Sequence, residues 1–306
     1  MSRALRLFVL STATIYVSVA VAHAQHGGGQ PRMSPAPVAV EVPSGGVTLP
    51  MQDVGGRPVV EVRINGKGPY RFIFDTGASI TVIDSDLKDE LKLPVAPGVS
   101  AAPGHGPAPS IVSVEALSVG GATLKGVIAA LMPLGNLLTM DPRPRGVLSA
   151  SSFPGHLVIF DYPGRKIALR KGKLEASDSA NTFAYGADDP LPTVPVRVAG
   201  HETRVHLDTG SGYGLMLPTR FLEELPLASK PEPAGKARVH GGEYPITKAK
   251  VDGPIMIGAH KLDLADVSFT DMKPGFGPAR GNIGYEVLRN FVVTLDSRSR
   301  RIRLVR

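Results

Sequence analysis

The stretch "RFIFDTGASITVID" runs from Arg71 to Asp84, and "RVHLDTGSGYGLML" runs from Arg204 to Leu217. Each is a hydrophobic strand pattern that ends on Asp-Thr-Gly and continues into small residues, Ala78-Ser79 in one and Ser211-Gly212 in the other. A strand that stops on Asp sets a carboxylate at a sheet margin. Gly77 and Gly210 then allow backbone angles and close approaches that a side chain would forbid.

Working outward from these turns, the chain reads as a duplication. Upstream, "VVEVRING" (Val59–Gly66) and "VPVRVAG" (Val194–Gly200) alternate like strands and turn back into the Asp-Thr-Gly strands, which predicts two hairpins. Downstream, "DSDLKDEL" (Asp84–Leu91) and "PTRFLEEL" (Pro218–Leu225) are short helix candidates, with Asp84 or Ser85 as N-cap of the first. Each half closes alike: Arg145–Leu169 matches Arg280–Leu304 without a gap. Gly146 falls on Gly281, Leu148 on Ile283, Asp161 on Asp296, Arg165 on Arg300 and Leu169 on Leu304. The expected organisation is a signal peptide over 1–24, a flexible leader over 25–45, a β-rich lobe over 46–172, a linker over 173–189 and a second β-rich lobe over 190–306.

If the lobes pack with pseudo-twofold symmetry, the two turns meet at the axis and Asp75 faces Asp208. Two carboxylates in contact cannot both ionise cheaply, so the pair holds one proton. The charged member can take a proton from water while the neutral one donates to a carbonyl, which is general acid–base hydrolysis without a covalent intermediate. A single Asp-Thr-Gly is a common turn; two at the same place in a repeat point to a paired site.

On "FIFDTGAS", "VHLDTGSG" and "GNIGYEVLRNF" the sequence resembles the aspartic peptidases, in particular the bacterial retropepsin-like type with two lobes in one chain. The resemblance covers about Val47 to Arg306. It implies an all-β fold of two pseudo-symmetric, six-stranded-type closed lobes with a few short helices. It also implies Asp75 and Asp208 as catalytic dyad and no cofactor. Thr76 and Thr209 are implied to hydrogen-bond across the axis, Gly77 and Gly210 to complete the turns, Ser79 to bond near Asp75, and Ser211 to hold the matching place in the second lobe. The family covers its cleft with a β-hairpin flap, for which two segments qualify. One is Pro97–Val112, with Gly104, His105 and Gly106; the other is Ala237–Val251, with His240, Gly241 and Gly242 at the tip and Tyr244 beside it. There are departures: the first apolar-apolar-Gly segment reads Val147-Leu148-Ser149, and His206 stands where the first lobe has Ile73.

Composition narrows the remaining choices. Arg3 and Arg6, the apolar run Leu7–Ala22 and the small-x-small Ala22-His23-Ala24 read as a secretory signal, so the expected location is the periplasm. No later segment is long and apolar enough to span a bilayer. The chain has no cysteine, which excludes disulfides, thiolate metal sites and a thiol nucleophile. Hydrophobic residues make up 42%, enough to build a core without them. The formal charge of +7 is scattered except for the arginines from Arg298 to Arg306, which alternate with Ile302 and Leu304 as on a half-exposed strand. Aromatics at 6%, no tryptophan and no recognition motif argue against a nucleic-acid partner. The eight histidines show no metal-ligand spacing, no Gly-x-Ser-x-Gly elbow is present, and Asp84-Ser85-Asp86 reads as a helix cap rather than a metal pair. The expected partner is a peptide or protein substrate, and a monomer suffices because both turns lie in one chain. A binding module that grips a peptide without cutting it is the alternative; a basic protein acting on envelope polymers rests on charge alone.

Overall fold

The computed structural model describes residues 19–21, 36–101, 108–135, 138, 140–186, 189, 191–239, 242–271 and 281–306. Strands dominate these residues, and the α-helices, Lys88–Leu91, Phe221–Glu224 and Tyr285–Leu288, are single turns. No helix among them is long and apolar enough to cross a membrane.

Both predicted hairpins form. Pro58–Ile64 pairs with Lys67–Asp75 through Asn65 and Gly66, at φ 49° and 78°. Thr193–Val198 pairs with His201–Leu207 through Ala199 and Gly200, at φ 46° and 89°. Two successive left-handed residues match the twist of the flanking strands. The alanine at the second turn shows that strand pairing can hold a residue in a conformation its own side chain disfavours.

In the first lobe six strands close into a ring. Pro58–Ile64 pairs with Lys67–Asp75, then in turn come Gly146–Ser149, Thr81–Asp84, Ala122–Met132 and Ser110–Val119, which returns to Pro58–Ile64. The second lobe repeats the path through Thr193–Val198, His201–Leu207, Asn282–Ile283, Leu215–Leu217, Val267–Phe269 and Gly242–Ala249. There the strand answering to Ala122–Met132 is broken into His260–Leu262 and Val267–Phe269, and the path stays open among the described residues.

A third sheet joins the lobes, in the order Thr182–Ala184, Arg301–Val305, Val292–Asp296, His156–Asp161, Lys166–Lys171, Val47–Pro50. At its centre Ile159 faces Thr294, its own counterpart in the repeat, and Leu157↔Asp296 mirrors Asp161↔Val292. The pseudo-twofold axis therefore passes through this pair. The flanking hairpins match in detail: Asp161 Oδ1 accepts from Gly164 N (2.7 Å) and Asp296 Oδ1 from Ser299 N (2.9 Å), so both aspartates cap turns.

Strands also form inside stretches read as irregular. Thr182–Ala184, inside the stretch expected to be linker, is the edge strand that mirrors Val47–Pro50. The second repeat thus begins within residues 173–189, because a sheet with a twofold axis needs both edges. The expected leader likewise ends in a strand: Ala39–Glu41 pairs with Ala122–Met132. Val19–Val21, in the stretch read as a signal, pairs antiparallel with Val99–Ala101.

The helical prediction at Asp84 resolves into a 3-10 turn, Ser85–Leu87, followed by Lys88–Leu91. Asp84 accepts from Asp86 N at 3.5 Å and is otherwise buried against two guanidinium groups, Arg143 Nη2 at 3.0 Å and Arg145 Nε at 3.2 Å. A buried carboxylate needs such partners.

Candidate active site

Asp75 ends the strand Lys67–Asp75, whose last four residues are fully buried. Phe74 anchors that end: its ring lies 5.5 Å from Phe153 and 5.3 Å from Phe160, the latter on the shared sheet. Aromatic contacts of this kind add to the burial already gained. Gly146–Ser149 runs parallel beside the strand, with Ser149 next to Asp75. Asp208 follows His201–Leu207 in the same way, with Asn282–Ile283 parallel beside it, and donates its N–H to Ile283 O at 3.0 Å.

The turns meet at the axis. Thr76 N donates to Thr209 Oγ1 at 3.0 Å, and Thr209 N donates to Thr76 Oγ1 at 3.1 Å. Thr76 Oγ1 donates onward to Leu207 O at 2.6 Å, and Thr209 Oγ1 to Phe74 O at 2.8 Å. Each threonine thus hydrogen-bonds the strand that delivers the opposite aspartate, and all four groups are buried. In such a dry place each unmade bond would cost about 1–3 kcal/mol.

The glycines bring the carboxyls together. A Cβ on Gly77 would lie 2.7 Å from Asp208 Oδ1 and 3.1 Å from Asp75 Oδ1. A Cβ on Gly210 would lie 2.5 Å from Asp75 Oδ2. Each carboxyl therefore rests over the glycine of the other repeat, at distances that only a missing side chain permits. Asp75 Oδ1 accepts from Gly77 N (2.6 Å) and, across the axis, from Gly210 N (3.0 Å). Its Oδ2 is buried and accepts no N–H bond among the described residues. Asp208 Oδ2 accepts from Asn282 Nδ2 at 3.1 Å.

Both aspartates have no exposed surface. Burial, and after it the charge of Asp208, push the Asp75 carboxyl well above the ordinary carboxyl range, against the pull of its two N–H donors. A buried guanidinium stands nearby: Arg57 donates from Nε to Gly210 O (2.8 Å) and from Nη1 to Gly55 O (2.9 Å), tying the first lobe to the second lobe's turn. Its charge acts most strongly on Asp208, then on Asp75.

Ser79 is buried on the Asp75 turn. Ser211 is buried on the other, where its carbonyl accepts from Tyr285 N at 2.9 Å and its Oγ from Tyr213 N at 3.4 Å. His206 is buried in the second lobe. Of the flap candidates, Gly104, His105, Gly106, His240 and Gly241 lie outside the described residues. Gly242 starts the strand Gly242–Ala249, and Tyr244 is buried on it opposite Ala237. The two candidate segments occupy the same place in the repeat: Val112 pairs with Ala129 beside Thr81, and Thr247 pairs with Phe269 beside Leu217. Among the described residues no group of three or more His, Asp or Glu side chains is placed to hold a metal ion.

Two site residues escaped sequence reasoning. Asn282 occupies the first apolar place of an apolar-apolar-Gly segment whose counterpart is Val147, and Arg57-Pro58 falls on Leu191-Pro192. In both cases the available signal was a polar residue where the other repeat is apolar.

No curated protein matches the chain. A family comparison matches the aspartyl proteases twice, over residues 60–151 and 194–287, one match for each lobe. Together these matches span more than half of the chain, each contains one Asp-Thr-Gly turn, and the chain belongs to the aspartyl protease family as a two-lobed, retropepsin-like member.

Proposed function

We propose that the protein is an aspartic endopeptidase that hydrolyses peptide bonds with water held between Asp75 and Asp208. The observation that carries this reading is the mutual seating of the carboxyls over Gly210 and Gly77, with one proton favoured for the pair. The charged carboxylate takes a proton from water as the water oxygen bonds to the carbonyl carbon. The neutral carboxyl gives its proton to the carbonyl oxygen, forming a gem-diol. As the C–N bond breaks, the amine leaves with the proton held by the first carboxyl, and a diol hydroxyl returns a proton to the second. Atoms and charge balance without a covalent enzyme intermediate, and one chain supplies both acids. The substrate is a peptide or protein segment lying extended between the lobes. The apolar run Leu7–Ala22 behind Arg3 and Arg6 supports a periplasmic location.

The test is incubation of purified protein with a peptide library, read by mass spectrometry, with and without a statine-type transition-state mimic. Fragments that vanish with the mimic support the peptidase. Tight peptide binding with no fragments, at any pH from 3 to 8, would overturn it in favour of a binding module.

A further inference from the structure

The two repeats surround the dyad unequally: Asn282 and Arg57, on the Asp208 side, have no polar counterpart beside Asp75. We propose that Asn282, with Arg57 behind the Asp208 turn, holds Asp208 as the charged member of the dyad and leaves the shared proton on Asp75. Asn282 is thus a positioning residue, and the pair has a fixed polarity rather than two interchangeable acids. The inference rests on the peptidase reading only for its catalytic consequence, in which Asp208 is the base toward water and Asp75 the acid toward the carbonyl.

Asn282 is buried, and its amide nitrogen lies 3.1 Å from Asp208 Oδ2. Its own Oδ1 is buried with no partner among the described residues. Turning the amide over would set two acceptors against each other whenever Asp208 is ionised, and an N–H₂ toward Asp208 stabilises its charged form more than its neutral one. At the matching place in the first lobe stands Val147, which offers Asp75 nothing. Arg57 adds a permanent positive charge on the Asp208 side, hydrogen-bonded to Gly210 O, where the second repeat supplies Leu191. Asp75 does accept two N–H bonds, which pull the other way, but both go to Oδ1 and its Oδ2 accepts none among the described residues.

Other groups around the pair do not reverse this. Tyr162 is buried near both aspartates and Asp53, which push its hydroxyl further toward the neutral form. Tyr213 lies by Arg57, and burial raises it to about 12. His206, two residues before Asp208 and paired with Asn282 across the strands, is a ring rather than a carboxyl and can be told apart in a titration.

The experiment is a 13C titration of aspartate side-chain carboxyls in the purified protein, with the two resonances assigned by Asp75→Asn and Asp208→Asn. Asn282→Val and Asn282→Thr are compared because valine and threonine have nearly one shape and differ in a hydroxyl donor. The expected result is that Asp208 ionises in the lower step. Asn282→Val should raise its proton affinity about tenfold, and Asn282→Thr should recover part of that change. If the protein cleaves peptides, the acid limb of kcat/KM moves by the same factor. A lower step on Asp75, or one that stays put in both variants, would overturn the proposal. The expected titration in a protein that cuts no peptide would uphold the polarity while ending the peptidase reading.

Discussion

Behind Asp75 the chain places Ser149; behind Asp208, at the same point of the repeat, it places Gly284. The Ser149 hydroxyl donates to Ala78 O at 2.6 Å and approaches Ser151 Oγ at 2.7 Å. In the second lobe the equivalent carbonyl, Ser211 O, accepts instead from the backbone N–H of Tyr285 at 2.9 Å. That N–H opens the helix Tyr285–Leu288, whereas after Ser149 only a 3-10 turn, Ala150–Ser152, forms. One repeat satisfies the carbonyl with a side chain, the other with the first turn of a helix. The serine is therefore an alternative solution to the same accounting of buried polar groups, and it leaves the Asp75 turn in place. A Cβ on Gly284 would lie 2.4 Å from Ser211 O, so the two solutions are not exchangeable.

Breaking the dyad should have the largest effect. Asp75→Asn or Asp208→Asn is expected to lower peptide cleavage by at least about a thousandfold, with circular dichroism and thermal midpoint showing an intact fold. Next come the glycines: Gly77→Ala sets a methyl 2.7 Å from Asp208 Oδ1, and Gly210→Ala sets one 2.5 Å from Asp75 Oδ2. Forcing the carboxyls apart should cost on the order of a hundredfold in kcat and about 1–3 kcal/mol of stability, measured by urea unfolding. The cross-axis threonines come third. Thr76→Val or Thr209→Val removes a hydroxyl that both accepts and donates, at about 2–4 kcal/mol, and a double-mutant cycle should show strong coupling because each bonds the other's N–H.

The exchange at the lobe comparison itself is smaller and unequal. Gly284→Ser should destabilise by about 1–3 kcal/mol through the clash with Ser211 O. Ser149→Gly should cost about 1 kcal/mol, the loss of one buried hydrogen bond. Equal costs from thermal unfolding would mean that the lobes hold their turns in one way after all.

The smallest effect concerns pH. The Asp75 carboxyl is raised in the folded state, so the native protein keeps a proton that the unfolded chain releases. Stability from this group then falls as pH rises from the ordinary carboxyl value, about 3.9, toward the raised one, and is unaffected below it. Asp75→Asn should therefore gain a few degrees in thermal midpoint at pH 7 relative to wild type, and the gain should shrink at pH 3.

Much of this architecture was legible in the residues. The doubled Asp-Thr-Gly strands, the hairpins at Asn65-Gly66 and Ala199-Gly200 and the gapless match of Arg145–Leu169 with Arg280–Leu304 all carry local chemistry that a sequence displays. The shared sheet was not legible. Thr182–Ala184 is three residues in a polar stretch, and it becomes a strand because Arg301–Val305 offers it an edge. Asn282 and Arg57 were hidden for a related reason. A side chain that serves a neighbour in the other repeat leaves no local pattern, only a mismatch with its counterpart, Val147 or Leu191.

The most direct measurement is a high-resolution crystal structure of the protein with a statine-type peptide bound. The predicted result is a statine hydroxyl between the two carboxyls, within hydrogen-bond reach, about 2.6–3.2 Å, of both Asp75 and Asp208. A mimic that touches one aspartate alone, or lies away from both, would contradict the paired site.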